Sequence, residues 1–176
     1  GTADFDPGAG TFTLGSNGSV DGFVSKLDMN GNFEKKKKIG GATIDEANSI
    51  KVDALGNVLN TGFYSNTVDF DPGPSTFTFN AFGTNNSYIQ KLDGNGNFVW
   101  AKTFSSTAAS IGRSIVLDAG ANIYSTGTYD GTLDLDPSNV TFTVASNGLD
   151  DFYISKLDAN GNFVWGKSIG SVNSDF

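Results

Sequence analysis

Paired aspartates, separated by a single residue, are the side chains of this sequence best suited to bind a metal ion. They occur in three related segments, ADFDPG at residues 3–8, VDFDPG at 68–73 and LDLDPS at 133–138. In an extended chain, residues two positions apart point to the same side. Two carboxylates on one side could coordinate Ca²⁺, which takes roughly six to eight oxygen ligands. The candidate calcium ligands are Asp4, Asp6, Asp69, Asp71, Asp134 and Asp136.

The same segments also have a structural interpretation, which the sequence favours over calcium binding. Phe70 would anchor the loop in the core, and Asp71, Pro72 and Gly73 would form a β-turn. Proline at the second position and glycine at the third suit a type II turn, whose third residue has a positive φ, and a type I turn would tolerate Ser138 in the last repeat. No cofactor other than calcium is expected.

A second acidic motif, Asp-x-Asn-Gly-Asn, occurs at residues 28–32, 93–97 and 158–162. It resembles a calcium loop superficially, but glycine is not at the sixth position and no distal glutamate follows. Asn-Gly between two apolar runs is a strong signal for a β-hairpin. We therefore predict hairpin turns at these three places.

The residue types argue against catalysis. The sequence has no histidine and no cysteine, which removes the commonest general base and the thiolate nucleophile. A glycosidase needs two carboxylates at a defined separation. The carboxylates that are specific to one part of the sequence form no convincing pair: Glu34, Asp45, Glu46 and Asp130. We expect a protein that is not an enzyme, and a glycan-active enzyme is the least favoured alternative.

The charge pattern excludes two further classes. The net charge is −8, and lysine and arginine form no basic stripe apart from residues 35–38. Nucleic-acid binding requires a basic face, so nucleic acid is not an expected partner. No apolar run is long enough to span a bilayer, so membrane insertion is not expected. The lysine run is interpreted as protection of an exposed sheet edge against pairing with other strands.

These motifs recur in a repeat of 65 residues, and the strands of that repeat position them. FVSKLDMNGNF at residues 23–33 returns as YIQKLDGNGNF at 88–98 and as YISKLDANGNF at 153–163. The middle repeat shows four runs typical of short strands, at residues 49–53, 58–64, 87–93 and 98–104. Four antiparallel strands per repeat are typical of a β-propeller blade, and a β-solenoid is the alternative.

The sequence therefore predicts an all-β partial propeller of about two and a half blades. Residues 1–40 would be the outer half of one blade, and residues 47–104 and 112–169 would be complete blades. Gly1 is equivalent to Asn66 and falls inside a repeat, so we expect a piece of a longer protein whose remaining blades are partners of this segment.

The motifs ANSIKVDALGNVLNTG, VDFDPG and YIQKLDGNGNFVWAK resemble the bacterial SBBP (beta-propeller repeat) family, and the hairpin around Asp53 is similar to NHL propellers. The resemblance covers essentially the whole chain. It implies a secreted or cell-surface bacterial protein, exported in some species by type IX secretion, with no assigned catalytic residues. The expected function is a structural scaffold that presents loops for adhesion or protein interaction.

The alternative function is a calcium- or glycan-dependent binding module, with a surface glycan as the partner. Phe77 and Phe79, and Phe12 and Leu14, alternate with threonine and could form a strip on which sugars stack. The other interpretation is that these residues pack the inserted hairpin onto its blade. Trp100 and Trp165 occupy equivalent positions on the fourth strand and are expected to fill the space between blades.

Overall fold

The computed structural model describes residues 1–175 and contains sixteen β-strands. The strands are β1 (Thr2–Asp4), β2 (Thr13–Gly15), β3 (Gly22–Leu27), β4 (Phe33–Ile39), β5 (Glu46–Val52), β6 (Val58–Tyr64), β7 (Thr67–Asp69), β8 (Thr78–Asn80), β9 (Asn86–Leu92), β10 (Phe98–Ser106), β11 (Ala109–Leu117), β12 (Ile123–Asp130), β13 (Thr132–Asp134), β14 (Thr143–Ala145), β15 (Asp151–Leu157) and β16 (Phe163–Ile169). Within residues 1–175, no helix is long and apolar enough to cross a membrane.

The antiparallel sheets follow the repeat. The middle blade contains β5, β6, β9 and β10 in that order, and the last blade contains β11, β12, β15 and β16. The first repeat contributes the hairpin of β3 and β4 and the short hairpin of β1 and β2. The protein is thus an all-β partial propeller, as the repeat predicted.

The middle sheet is larger than a four-stranded blade, which the sequence did not predict. Strand β10 continues to Ser106, where Ser105 pairs with Asp134 and Ser106 pairs with Leu133. The β13–β14 hairpin thereby extends the sheet to six strands. The exposed end of an outer strand offers unpaired N–H and C=O groups, and the connection of the following repeat satisfies them. The β13–β14 hairpin therefore lies between the middle blade and the last blade.

Two apolar clusters hold the repeats together. One contains Leu59 and Ile89 of the middle blade together with Ile115, Ile123 and Leu157 of the last blade. Trp100 packs against this cluster and is partly buried, as expected for a residue between blades. Because each cluster draws on two successive repeats, one repeat cannot bury its apolar faces alone.

The second cluster joins the first hairpin to the middle blade. It contains Ile39 of β4 together with Tyr64, Phe70 and Tyr88. Phe70 is fully buried. The prediction that Phe70 anchors the DFDPG loop in the core is therefore confirmed.

Candidate functional site: aspartate loops and the first blade junction

The paired aspartates use their oxygens to organise their own loops. Asp69 Oδ1 accepts hydrogen bonds from the backbone N–H groups of Asp71 (3.0 Å) and Phe77 (2.8 Å). Asp71 Oδ1 accepts one from Gly73 N–H at 2.7 Å. The loops that begin at Asp4 and Asp134 repeat these bonds. The aspartates thus replace backbone acceptors that the turning chain does not supply.

The predicted type II turn is wrong. A type II turn requires a positive φ at its third residue, and Gly73 is absent from the residues with positive φ among those described. Asp71 accepts the Gly73 N–H with its side chain, so the chain reverses through an Asx-turn instead. An Asx-turn does not need glycine, which explains why Ser138 can stand in the last repeat.

The structure brings the two aspartates of each loop together but adds no third acidic group. Within residues 1–175, no three Asp or Glu side chains form a group that could hold a metal ion. Two backbone N–H groups at Asp4 lower the pKa of its carboxyl, with the Phe12 N–H contributing most. Calcium binding at these six aspartates stays a prediction.

The Asp-x-Asn-Gly-Asn segments form hairpin turns, as predicted. Asp93 Oδ1 accepts the N–H groups of Asn95 and Asn97, each at 2.8 Å, and Asp93 Oδ2 accepts the Asn97 side-chain amide at 2.9 Å. These donors stabilise the charged carboxylate and lower the pKa of Asp93. Equivalent bonds recur at Asp28, Asp53, Asp118 and Asp158.

The aromatic residues of the inserted hairpins pack onto the blades. The ring of Phe77 lies 4.8 Å from that of Phe98, and the ring of Phe12 stacks on Phe33 at 4.4 Å. Phe142 and Phe163 repeat the contact in the last blade at 4.9 Å. These contacts agree with the packing interpretation of the Thr-Phe-Thr segments.

The lysine run is divided between two surfaces because side chains alternate along β4. Lys36 Nζ donates to Thr13 O (2.6 Å) and Lys38 Nζ donates to Gly15 O (2.8 Å), so both lysines cover the β2 edge. Lys35 and Lys37 point to the opposite side, where they line a groove. Half of the run therefore protects an edge, and the other half borders a cavity.

This groove lies at the first blade junction, between the β3–β4 hairpin and the middle blade. Its volume is about 310 Å³, and the lining includes Val24, Lys35, Lys37, Ile50 and Val52. Ile50 and Val52 are 48% and 62% exposed. The floor of the groove is therefore apolar, and lysines form its rim.

At the second junction, between the middle and last blades, the equivalent space is filled. Ile115 is equivalent to Ile50 and is fully buried, in the cluster that contains Leu59. Leu59 belongs to β6, which pairs with β9 along its whole length. Strand β3 is equivalent to β9, but β4 is its one ladder partner among the described strands. The first junction thus has a free strand edge beside an apolar floor.

The lysines show the same difference in electrostatics. Lys91 Nζ lies 3.3 Å from Asp53 Oδ2, on the turn of the β5–β6 hairpin. The equivalent Lys26 forms an ion pair with Glu34 at 2.6 Å instead. The β5–β6 hairpin, which fills the second junction, thus places the Asp53 carboxylate beside Lys91.

Comparison with known proteins gives one informative relative. No family model matches the chain. It is similar to an uncharacterized WD repeat-containing protein of Acanthamoeba polyphaga mimivirus, with 26% identity over 179 residues that cover 95% of the chain. WD repeats are propeller repeats. The chain spans 13% of the length of that relative. The bacterial SBBP and NHL resemblances stay predictions.

Sequence reasoning missed one group of residues. Asp45 is not specific to one repeat, because Asp175 lies two 65-residue steps after it. The structure places Asp45 near Asp21 and Asp175 near Asp151. The 65-residue step could have revealed these residues, because it aligns Asp21 with Asn86 and Asp151.

Proposed function

We propose that this chain is part of a non-enzymatic β-propeller scaffold that presents its loops for protein interaction, and that its first blade junction takes up a β-hairpin of the same repeat type. The observation that carries the proposal is the groove lined by Ile50 and Val52, whose equivalents at the second junction are covered by a neighbouring hairpin. Burial of apolar surface is favourable in proportion to the area removed from water. Binding of a hairpin that covers Ile50 and Val52 is therefore favoured.

The occupant is a β-hairpin that adds to the free edge of β3. Main-chain hydrogen bonds to an exposed strand edge provide affinity, and alternate side chains provide specificity. The β5–β6 hairpin shows the chemistry required, since it places Leu59 over an apolar floor and Asp53 beside Lys91. A partner hairpin therefore needs an apolar residue for the floor and a carboxylate for Lys26, Lys35 or Lys37. Other propeller blades of a longer protein would supply such a hairpin.

The engagement of the acidic residues supports a non-enzymatic role. The loop aspartates accept backbone hydrogen bonds, and Glu34 is paired with Lys26. A general acid or base has to reach a substrate proton, which these bonded carboxylates are not arranged to do.

A position outside a bacterial cell, with a role in adhesion, is part of the same proposal and rests on the SBBP resemblance. Fractionation of cells that express the full-length protein tests it. We expect the protein in the medium or on the cell surface, and recovery from the cytosolic fraction alone would contradict this part.

A peptide-binding measurement tests the groove. A labelled peptide of residues 46–64 serves as the probe, because this segment forms the hairpin that fills the second junction. We expect saturable binding to the chain, followed by fluorescence anisotropy. Ile50→Asp should abolish the binding, and Lys35→Glu with Lys37→Glu should weaken it at low salt.

Matched controls make the result specific. Val116→Asp changes a residue of similar exposure, 49%, on the last blade and should leave binding unchanged. A peptide with Leu59→Asp should not bind. Absence of binding, or equal binding by Ile50→Asp and Val116→Asp, would overturn the proposal.

A further inference from the structure

A buried pair of aspartates lies at the first junction, where one aspartate precedes β3 and the other precedes β5. Asp45 is 1% exposed and the side chain of Asp21 is 4% exposed. Asp21 Oδ1 is buried and has no hydrogen-bond partner among residues 1–175. A buried carboxylate oxygen without a donor is costly, and a cation beside it would remove that cost.

The two carboxylates converge on consecutive glycines. A Cβ placed on Gly40 would lie 2.6 Å from Asp21 Oδ1, so the carboxylate rests directly against that glycine. Gly41 N–H donates to Asp45 Oδ2 at 2.7 Å. Asp45 N–H donates to the carbonyl of Val20, the residue that precedes Asp21. Ser65 N–H donates to Asp45 Oδ1 at 3.0 Å, so both oxygens of Asp45 have a donor. The two carboxylates line one cavity, in which Asp21 Oδ1 is the oxygen without a partner among the described residues.

The last repeat contains the same arrangement. Asp151 is fully buried, and its Oδ1 has no partner among the described residues. A Cβ on Gly170 would lie 2.1 Å from this oxygen, and Ser171 N–H donates to Asp175 Oδ2 at 2.6 Å. Asp175 N–H donates to Asp150 O, as Asp45 N–H does to Val20 O. The pair is therefore a repeated feature.

The middle repeat replaces both aspartates with neutral residues. Asn86 and Ser110 occupy the two positions. Asn86 Oδ1 accepts the Ser106 N–H at 3.3 Å, and Ser110 Oγ accepts the Ser87 N–H at 2.8 Å. Asn86 Nδ2 is buried without an acceptor among the described residues, but it carries no charge. The two positions thus change together, to two acids or to two neutral residues. Like charges at close range repel, so a buried acid pair requires a positive partner that a neutral pair does not.

The side chains of the protein do not supply that partner in full. Lys38 Nζ lies 3.9 Å from Asp21 Oδ2, on the oxygen that Asn17 N–H already contacts. The residue equivalent to Lys38 in the last repeat is Ser168, which is bonded to Tyr129. Two carboxylates and at most one lysine leave negative charge at each pair.

We propose that the Asp21–Asp45 pair, and its repeat Asp151–Asp175, bind a hard divalent cation, Ca²⁺ or Mg²⁺. Carboxylate oxygens are the preferred ligands of both ions, and Mg²⁺ commonly combines one or two carboxylates with several waters. A cavity of about 270 Å³ is lined by Asp21, Asp45, Glu46 and Asn48, which leaves room for those waters. The site is distinct from the DFDPG loops and does not depend on the groove for the hairpin.

Calorimetric titration of the metal-free chain with CaCl₂ and with MgCl₂ tests the proposal and distinguishes the two ions. We expect two sites per chain for one of the ions and a rise in Tm of a few degrees at saturation. The double variant D21N/D45S should lower the stoichiometry from two to one. The variant N86D/S110D should raise it from two to three, because it gives the middle repeat the same pair.

The variant D69N/D71N is the matched control and should leave the stoichiometry at two. Loss of binding in D69N/D71N alone would place the ion in the loops and overturn the proposal. Absence of heat and of a Tm change with both salts would overturn it as well. If circular dichroism shows that D21N/D45S does not fold, D151N/D175S makes the same test, and an unchanged stoichiometry there contradicts the proposal. Binding of the 46–64 peptide tests the groove separately.

Discussion

The two blade junctions are built from equivalent residues, yet one is open and the other is closed. Ile50 is 48% exposed at the first junction, whereas its equivalent Ile115 at the second junction is fully buried. The side chains have the same chemistry, and the difference is the β5–β6 hairpin that covers the second junction. An apolar residue in a repeat therefore becomes core or surface according to its neighbour.

This comparison also explains the local electrostatics. The hairpin that closes the second junction carries Asp53 to Lys91, and the open junction leaves Lys26 with Glu34. Glu34 stands where the other repeats have Val99 and Val164. The open repeat therefore pairs its lysine within its own hairpin, a surface ion pair worth at most about 1 kcal/mol.

Removing a side chain from the closed junction should have the largest effect on stability. Ile115→Ala deletes a fully buried side chain and should lower the free energy of unfolding by about 2–5 kcal/mol. Ile50→Ala, at the equivalent exposed position, should lower it by less than about 1 kcal/mol. Urea denaturation followed by tryptophan fluorescence measures both. Equal losses would show that the first junction is also closed in solution.

The polar pairs inside the two complete blades provide the next comparison. Asn60 Nδ2 donates to Gln90 Oε1, and Gln90 Nε2 donates to Phe70 O, whereas the last blade has the hydroxyls of Ser125 and Ser155 at 2.7 Å. Gln90→Leu leaves buried groups unpaired and should cost about 1–3 kcal/mol. Ser155→Ala should cost about 0.5–1.5 kcal/mol.

Urea denaturation ranks these two variants. The double variant Asn60→Leu/Gln90→Leu is the control, since removing both amides eliminates one unsatisfied group and should recover part of the loss. A Gln90→Leu protein as stable as the parent would show that this bond does not stabilise the middle blade.

The β-turns offer a smaller and purely local comparison. Ala121 has a φ of 59°, whereas Gly56 occupies the equivalent place in the middle blade with a φ of 83°. A left-handed conformation is unfavourable for alanine and is readily adopted by glycine. Ala121→Gly should raise the free energy of unfolding by about 0.5–1 kcal/mol, and Gly56→Ala should lower it by about 1 kcal/mol. Thermal unfolding measures both, and a lower Tm for Ala121→Gly would contradict the turn geometry.

Acid sensitivity should be the smallest effect and should not distinguish the two junctions. The pKa of Asp28 is lowered by the Asn32 side chain and backbone, and that of Asp93 by the Asn97 backbone and side chain. A lowered pKa means that the folded state binds fewer protons than the unfolded state. The stability that each aspartate provides is complete above its ordinary pKa of 3.8 and is lost as the pH falls through that value towards the folded pKa.

Substitution of either aspartate should therefore flatten the fall in Tm with decreasing pH. Asp28→Asn and Asp93→Asn should do so equally, because both turns are closed by local bonds. Differential scanning fluorimetry between pH 3 and pH 7 makes the comparison. A stronger effect of Asp93→Asn would show that the blade junction contributes to the turn.

Much of the fold could be predicted because it depends on local patterns. The strands β6 and β9 follow from apolar and polar residues bounded by Gly and Asn, and the Asp93 turn follows from Asn-Gly. The pairing of Ser106 with Leu133 could not be predicted in this way. It joins segments of different repeats, and no periodicity within either segment specifies the partner.

The two candidate sites also differ in whether a local sequence pattern predicts them. The loop aspartates Asp69 and Asp71 are visible as a motif, and their backbone bonds follow from a compact turn. Asp21 and Asp45 are separated by two strands, β3 and β4, and the turn between them, and they form no motif. The tertiary structure brings both to one cavity, where Asp21 contacts Gly40 and Asp45 accepts the Gly41 N–H.

The sequence by itself determined the repeat, the strand order within a blade and the turns, since each depends on residues near one another along the chain. The tertiary structure decided which apolar residues are buried, which lysines meet carboxylates and which aspartates share a junction. Those outcomes depend on packing between repeats, and packing is set by the neighbour that covers a surface as well as by the residues on it. Ile50 and Ile115 illustrate the reason: one pattern occurs twice, and β6 covers only the second.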